Sequence, residues 1–150
     1  IKVSGRTKHH INVFGEELII ENAEEALKKT IAEIPCFIKD YTVAPIFMEG
    51  KEKGAHEWMI EFGRQPDDIS TFAKALDHHL QRVNSDYEAK RYNNITLTAP
   101  KINVANPDVF YNWLKQKDKL GGQHKIPRLS NSREYMDELL IIHRKGRLLK

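Results

Sequence analysis

The stretch from residue 5 to residue 18 decides how the rest of the chain is organised. It reads Gly5-Arg6-Thr7-Lys8-His9-His10-Ile11-Asn12-Val13-Phe14-Gly15-Glu16-Glu17-Leu18. Apolar Ile11 and Val13 alternate with polar neighbours, which is typical of a strand. Gly15 interrupts that pattern, and apolar residues follow the acidic pair. The stretch therefore predicts a strand, a tight loop at Gly15 and a short apolar exit into one compact domain.

Composition predicts a single soluble domain. The chain has 150 residues, 40% of them hydrophobic, which is enough for one domain with its own core. No apolar run approaches the roughly 20 residues that span a membrane. The one cysteine, Cys36, cannot form an internal disulfide, and this favours a cytoplasmic location. The chain opens at Ile1 and has its first methionine at Met48, so we expect a piece of a longer protein.

Charge is distributed unevenly along the chain. The formal net charge is only +3, yet residues 115–150 contain ten Lys and Arg against four Asp and Glu. A basic tail of this kind can meet an anion, and it can equally be an ordinary solvated surface.

Outward from residue 20, the apolar spacing predicts an α+β fold. The elements after the first strand are a helix over 23–33, strands over 36–48 and 56–62, a helix over 66–87 and a strand over 95–99. Asn22 and Glu25 are placed as a capping box, and Pro45 suits an edge strand or a bulge. This βαββαβ order predicts a ferredoxin-like antiparallel sheet with two helices on one face.

Two more helices are predicted beyond this core. One follows Asn106-Pro107-Asp108 and ends at Leu120-Gly121-Gly122. The last begins near Ser132, where Asn131 and Glu134 can form a second capping box. We therefore predict a hinge strand and loop over 1–20, a ferredoxin-like core over 21–104 and a helical extension over 105–150.

The helical extension carries a candidate working residue. Gly121-Gly122-Gln123-His124-Lys125-Ile126-Pro127-Arg128 places Lys125 after a flexible glycine pair and before a rigid proline. A mobile loop can present one fixed cation in this way. A helix C-cap followed by an ordinary surface lysine gives the same pattern.

Motifs at both ends of the chain resemble one enzyme family. G-R-T-K-x-x-I-N-x-F-G-E-E-L looks like the hinge and following loop of adenylate-forming enzymes. Q-H-K-x-P-R is similar to the version in the Gretchen Hagen auxin-responsive family of acyl-acid amido synthetases. The resemblance implies the C-terminal lid of an ATP-dependent ligase, which adenylates a carboxylic acid and passes the acyl group to an amine, commonly that of an amino acid.

The resemblance also implies where cofactors and substrates bind. ATP and Mg²⁺ would be held mainly by an N-terminal adenylation domain of the same chain, which lies outside this sequence. We therefore expect no cofactor in this fragment, and its residues do not reveal which acid and which amine are joined.

By the same resemblance, Lys125 enters the active site during adenylation. Negative charge then crowds the α-phosphate, and a compact ammonium can stabilise that charge. Arg128 would add a forked donor for phosphate, with a structural salt bridge as the alternative. Arg6 and Lys8 belong to the hinge, where the wider superfamily usually has an aspartate at the position of Lys8.

The loop at Phe14, Gly15, Glu16 and Glu17 would line the acceptor side of the active site after the lid turns. Glycine allows the close backbone approach that such a loop needs. A plain hairpin turn is the alternative interpretation of the same residues.

Other classes of function have weaker support. Neither histidine pair, His9-His10 or His78-His79, is suited to bind one metal ion through both rings, because adjacent side chains diverge on a strand and on a helix. We predict no metal site. Cys36 lies in an apolar stretch without a neighbouring base, which argues against nucleophilic catalysis.

Binding to nucleic acid is also disfavoured. Trp58 and Phe62 alternate on one strand as in RNA-reading sheets, but Glu57 and Glu61 flank them and would repel phosphate. The main alternative to the ligase is a non-catalytic ferredoxin-like module that binds a small ligand or a protein partner.

Overall fold

A computed structural model describes residues 10–47, 53–94, 96–117 and 126–148. Its elements are β1 (His10–Ile11), β2 (Leu18–Ile19), α1 (Ile20–Glu33), β3 (Phe37–Phe47), β4 (Gly54–Arg64), α2 (Ile69–Val83), α3 (Ser85–Arg91), a 3₁₀ turn (Tyr92–Asn94), β5 (Lys101–Val104), α4 (Val109–Gln116) and α5 (Glu134–Leu148). The predicted α+β class is confirmed. None of the helices in these ranges is both long and apolar enough to cross a membrane.

The strands form two small sheets rather than one. β1 pairs with β2 alone, whereas β3, β4 and β5 form a sheet with β3 on the outside, as Pro45 predicted. β3 runs antiparallel to β4, with Tyr41 opposite Ile60. β5 runs parallel to β4, with Ile102 opposite Trp58, and this pair corrects the prediction of a wholly antiparallel sheet. The chain returns to β4 through a helical crossover, and such a connection can bring a strand back in the parallel direction.

The last strand begins later than its alternating pattern predicts. Residues 96 and 97 donate their N–H groups to the carbonyl of Lys90, at 3.3 and 2.8 Å, and so close the end of α3. Leu97 is fully buried and forms an isolated bridge with Gly54. The N–H groups of residues 96 and 97 are therefore already used, and the strand that was predicted to begin at 95 lies over 101–104.

Helices cover both faces of the three-stranded sheet. One face packs against α1 and α2 in a core that includes Tyr41, Trp58 and Phe72. The other packs against α4 and α5 around Met59 and Trp113. The predicted extension is thus a second helical layer, and β4 is buried through its first eight residues instead of alternating. An RNA-reading sheet needs an open face, and here helices cover both faces.

Asparagine side chains set two helix boundaries. The helix predicted over 66–87 divides at Asn84, whose Oδ1 accepts the N–H of Tyr87 at 2.8 Å and starts α3. Asn22 lies inside the first turn of α1 rather than before it, and its Oδ1 accepts the N–H of Ile19 at 3.1 Å. In both cases the side chain satisfies a backbone donor that the helix leaves unpaired.

The predicted capping box of the last helix is wrong. The side chain of Asn131 accepts the N–H of Asn12 at 2.9 Å and donates to the Asn12 side chain at 3.1 Å. The Oγ of Ser132 accepts the N–H of Glu134 at 3.0 Å and starts α5. Asn131 therefore ties the C-terminal layer to the loop between β1 and β2.

Candidate functional site

The structure describes five of the eight predicted site residues. Phe14, Gly15, Glu16 and Glu17 lie in the β1–β2 loop, and Arg128 lies beside β3. The predicted working residue Lys125 and the hinge residues Arg6 and Lys8 lie outside the described residues.

The β1–β2 loop has a backbone conformation that few residues adopt. Gly15 has a φ of +85° and donates its N–H to the carbonyl of Asn12 at 2.9 Å. Glu17 has a φ of +45°, in the left-handed region that is uncommon for residues with a side chain. A non-glycine residue there costs about 1–3 kcal/mol and persists only where its surroundings impose it.

Glu16 turns inward from this loop. Its side chain is fully buried, and its Oε2 lies 2.6 Å from Nε2 of His56 on β4, which is fully buried as well. Its other oxygen, Oε1, accepts the N–H of Phe14 at 2.8 Å. In this conformation the carboxylate fastens the loop to the sheet and does not face solvent.

His56 is the residue of this site that sequence reasoning missed. The signal was available, because residues two apart on a strand share a face, and the alternation that buries Trp58 and Ile60 also directs His56 inward. Its ring packs 5.5 Å from the ring of Tyr87. Its Nδ1 is buried without a hydrogen-bond partner among the described residues.

The ring of Phe14 closes the loop over the β3–β4 hairpin. Its centroid lies 5.5 Å from that of Phe47 and 6.4 Å from that of His56. The ring occupies the space in which a side chain at position 54 would begin, so a residue larger than Gly54 would collide with it. Close approach is therefore the reason for glycine at the start of β4.

Residues of helix α3 and of its junction with α2 contact the β1–β2 loop and the buried histidine. Asn84, between them, donates its Nδ2 to the carbonyl of Glu17 at 3.0 Å. Tyr87 donates its hydroxyl to Asp77 at 3.0 Å, and burial together with that carboxylate raises the pKa of Tyr87. Arg91 donates to the same carboxylate from Nε at 2.8 Å and from Nη2 at 2.6 Å. This network fixes the tyrosine ring behind the buried histidine.

Arg128 is held in an ion pair. Its guanidinium pairs with the Asp40 carboxylate, donates to the carbonyl of Tyr41 at 3.0 Å and stacks 4.7 Å from the centroid of the Tyr41 ring. The side chain is still 35% exposed. Its contacts here match the alternative of a structural salt bridge.

Residues 127–130 lie alongside β3. Thr42 donates its hydroxyl to the carbonyl of Pro127 at 2.6 Å. Val43 donates its N–H to the carbonyl of residue 128 at 2.8 Å and accepts the N–H of residue 130 at 3.1 Å. Leu129 is fully buried between these bonds. The segment that directly follows Lys125 is therefore anchored to the outer edge of the sheet.

A groove of about 370 Å³ lies next to Arg128. Its lining combines apolar side chains with those of Lys28 and Lys39 and with the carboxylates of Glu24 and Asp40. Both carboxylates are engaged, because Tyr41 donates its hydroxyl to Glu24 and Asp40 holds the guanidinium. Burial and the contact with Glu24 raise the pKa of Tyr41, so the hydroxyl remains a donor. The groove's carboxylates are thus satisfied from within the domain.

The other titratable residues considered as metal ligands or nucleophiles have structural surroundings. Within the described ranges, no three His, Cys, Asp or Glu side chains are grouped as metal ligands. His79 lies 3.0 Å from Glu33 and joins α2 to α1. Cys36 is buried, and burial raises the pKa of its thiol, which weakens it as a nucleophile.

The fold is the one found in acyl acid amido synthetases. The chain is similar to the structure "AtGH3.15 acyl acid amido synthetase in complex with 2,4-DB", with a TM-score of 0.68 and 14% identity over 89% of this chain and 25% of that one. It is similar also to "GH3.15 acyl acid amido synthetase", with a TM-score of 0.66 and 17% identity over 88% of this chain and 24% of that one. The chain thus spans about a quarter of their length. A comparison with curated proteins found no match.

The family follows from the sequence itself. Residues 21–134 match the model of the GH3 family C-terminal domain, and the chain belongs to that family. This confirms the resemblance to the Gretchen Hagen family. The matched range includes Lys125 and Arg128 and begins after the β1–β2 loop.

Proposed function

We propose that the chain is the C-terminal lid domain of an ATP-dependent, acyl-adenylate-forming ligase that joins a carboxylic acid to an amine, commonly an amino acid. Membership of the GH3 family carries this proposal, and the fold shared with two acyl acid amido synthetases supports it. ATP, Mg²⁺ and both substrates would be bound mainly by an N-terminal adenylation domain of the same chain. We also propose a cytoplasmic location.

Lys125 is the proposed working residue of the lid. It lies within the range that matches the family, and the segment after it is anchored to β3 through Thr42 and Val43. An anchored neighbouring segment suits a cation that must reach one point precisely. There its ammonium would stabilise the charge that builds up around the α-phosphate.

Arg128 is the second proposed phosphate contact. Its guanidinium is partly exposed and already binds a carboxylate, and arginine binds the oxygens of carboxylates and phosphates through the same N–H donors. To bind ATP it would exchange Asp40 for a phosphate oxygen. The β1–β2 loop would line the acceptor side through Phe14, Glu17 and the backbone at Gly15.

A calorimetric titration of the isolated chain with ATP and Mg²⁺ tests whether the nucleotide is bound mainly by the N-terminal domain. We expect the chain to fold but to show no specific heat of binding, because its core is complete while the nucleotide pocket belongs to the other domain. The full-length enzyme under the same conditions is the positive control. A dissociation constant in the micromolar range for the isolated chain would contradict the lid assignment.

The hinge is tested at Lys8 in the full-length enzyme. Rotation of a lid needs a few backbone angles to change, so the freedom of the backbone matters more than the side chain. Lys8→Pro should impair turnover by fixing φ, whereas Lys8→Ala should have a mild effect. The measurement is the steady-state kcat of the two variants. Equal decreases in kcat would argue against a hinge at this position.

A further inference from the structure

Two energetically unfavourable features meet in the β1–β2 loop. Glu17 holds a left-handed φ, and the carboxylate of Glu16 and the imidazole of His56 are both removed from water. Buried ionisable pairs are often no more stabilising than apolar residues of the same size. Strained backbone clusters at functional sites, where one conformation must be held. The need for a fixed loop explains both features better than stability does.

We propose that His56 is a positioning residue that fixes this loop for attack of the amine on the acyl-adenylate. The inference rests on the proposed function, in which the loop lines the acceptor side. His56 would touch no reactant. It acts through Glu16, whose Oε1 holds the N–H of Phe14 while its Oε2 is held by the histidine, so the loop backbone cannot turn independently of β4.

The supported step is amide formation. The amine nitrogen forms a bond to the acyl carbon, the bond between that carbon and the phosphate oxygen breaks, and AMP leaves with the electron pair while the amine loses a proton to solvent. Attack of this kind depends on the angle and distance at which the amine is held, and a misplacement of about 1 Å can cost about 10² in rate. A loop that borders the amine therefore has to be rigid, which is what the contacts of Phe14 and Glu16 provide.

The test uses His56→Ala, His56→Gln and His79→Ala in the full-length enzyme. Amide formation from synthetic acyl-adenylate and pyrophosphate release are measured separately, below the unfolding temperature of each variant. We expect His56→Ala to slow amide formation by about 10- to 100-fold and to change pyrophosphate release by less than about threefold. His56→Gln should restore most of the rate, because its amide can still donate to Glu16.

His79→Ala is the matched control. It removes an imidazole on α2 whose Nε2 lies 3.0 Å from the carboxylate of Glu33, a residue of α1 outside the loop. It should lower the unfolding temperature while leaving the ratio of the two half-reactions unchanged. If His56→Ala slows both half-reactions equally, as loss of folded protein would, the inference is overturned.

If His56→Ala does not fold, a variant that keeps the buried pair can still test whether a fixed loop is needed for amide formation. Glu17→Gly relaxes the left-handed φ without removing Glu16 or His56, so the unfolding temperature should not fall. Amide formation should fall several-fold further in Glu17→Gly than in Glu17→Ala, which loses the same side chain but keeps the left-handed φ, since only glycine gives the loop freedom. Equal rates in the two variants would overturn the inference. If Lys125→Ala loses adenylation while His56→Ala slows both half-reactions to the same extent, the proposed function stands and only the role of His56 is overturned.

Discussion

Replacing Lys125 with alanine in the full-length enzyme is expected to slow pyrophosphate release by about 10²- to 10³-fold, the usual cost of losing one donor aimed at developing charge. Amide formation from a preformed acyl-adenylate should be spared, because the charge that the ammonium stabilises belongs to the first half-reaction. Both rates are measured on the same preparation. The split between them, rather than the total loss, identifies an adenylation residue.

The matched control is Lys115→Ala. Lys115 is an exposed lysine on α4, and its removal should leave both half-reactions within about threefold of the starting enzyme. Survival of pyrophosphate release in Lys125→Ala would show that this lysine is an ordinary surface residue after a helix end. The family assignment would stand in that case, while the catalytic role of Lys125 would not.

Replacing Glu16 with alanine is expected to lower the free energy of unfolding of the isolated chain by about 3–5 kcal/mol, the cost of removing one partner of a buried pair. The change leaves the buried imidazole of His56 and the partly buried N–H of Phe14 without their acceptor. Urea unfolding followed by circular dichroism measures the loss. Glu16→Gln should lose less, since its amide retains a hydrogen bond to each neighbour.

Glu25→Ala gives the comparison for an exposed acid. Glu25 lies 3.8 Å from Lys29 on α1, with both side chains about half exposed at 55% and 48%. Exposed pairs of this type contribute about 0.3–0.5 kcal/mol. A loss below about 1 kcal/mol for Glu16→Ala would place the carboxylate in water, and the enclosed loop described above would be wrong.

Much of the fold could be predicted because it depends on neighbouring residues. The three- and four-residue spacing over 23–33 predicted α1, and the alternation around Trp58 predicted β4 as one half of a hairpin. The glycine-flanked motif around Phe14 and the lysine motif around Lys125 predicted the family, which the match over 21–134 confirms. The proposed roles of Lys125, Arg6 and Lys8 rest on those motifs.

The errors occurred where a residue had a choice of partners. Asn131 was predicted to cap the helix next to it, but it binds Asn12, 119 residues away. Residues 95–99 alternate like a strand, but the N–H groups of residues 96 and 97 close α3 and the strand forms over 101–104. In each case the local pattern allowed more than one hydrogen-bond partner. The partner found in the structure was not the one that the pattern predicted.

By itself the sequence determined helix α1, the pairing of β3 with β4 as a hairpin, and the family to which the chain belongs, because periodicity and motif are properties of adjacent residues. Only the tertiary structure decided that β5 lies parallel to β4, that a second helical layer covers the sheet, and that Glu16 faces inward. The partner of Glu16 lies 40 residues further along the chain. A contact of that kind forms only once the sheet and helices have packed, because burial then removes water as the competing partner.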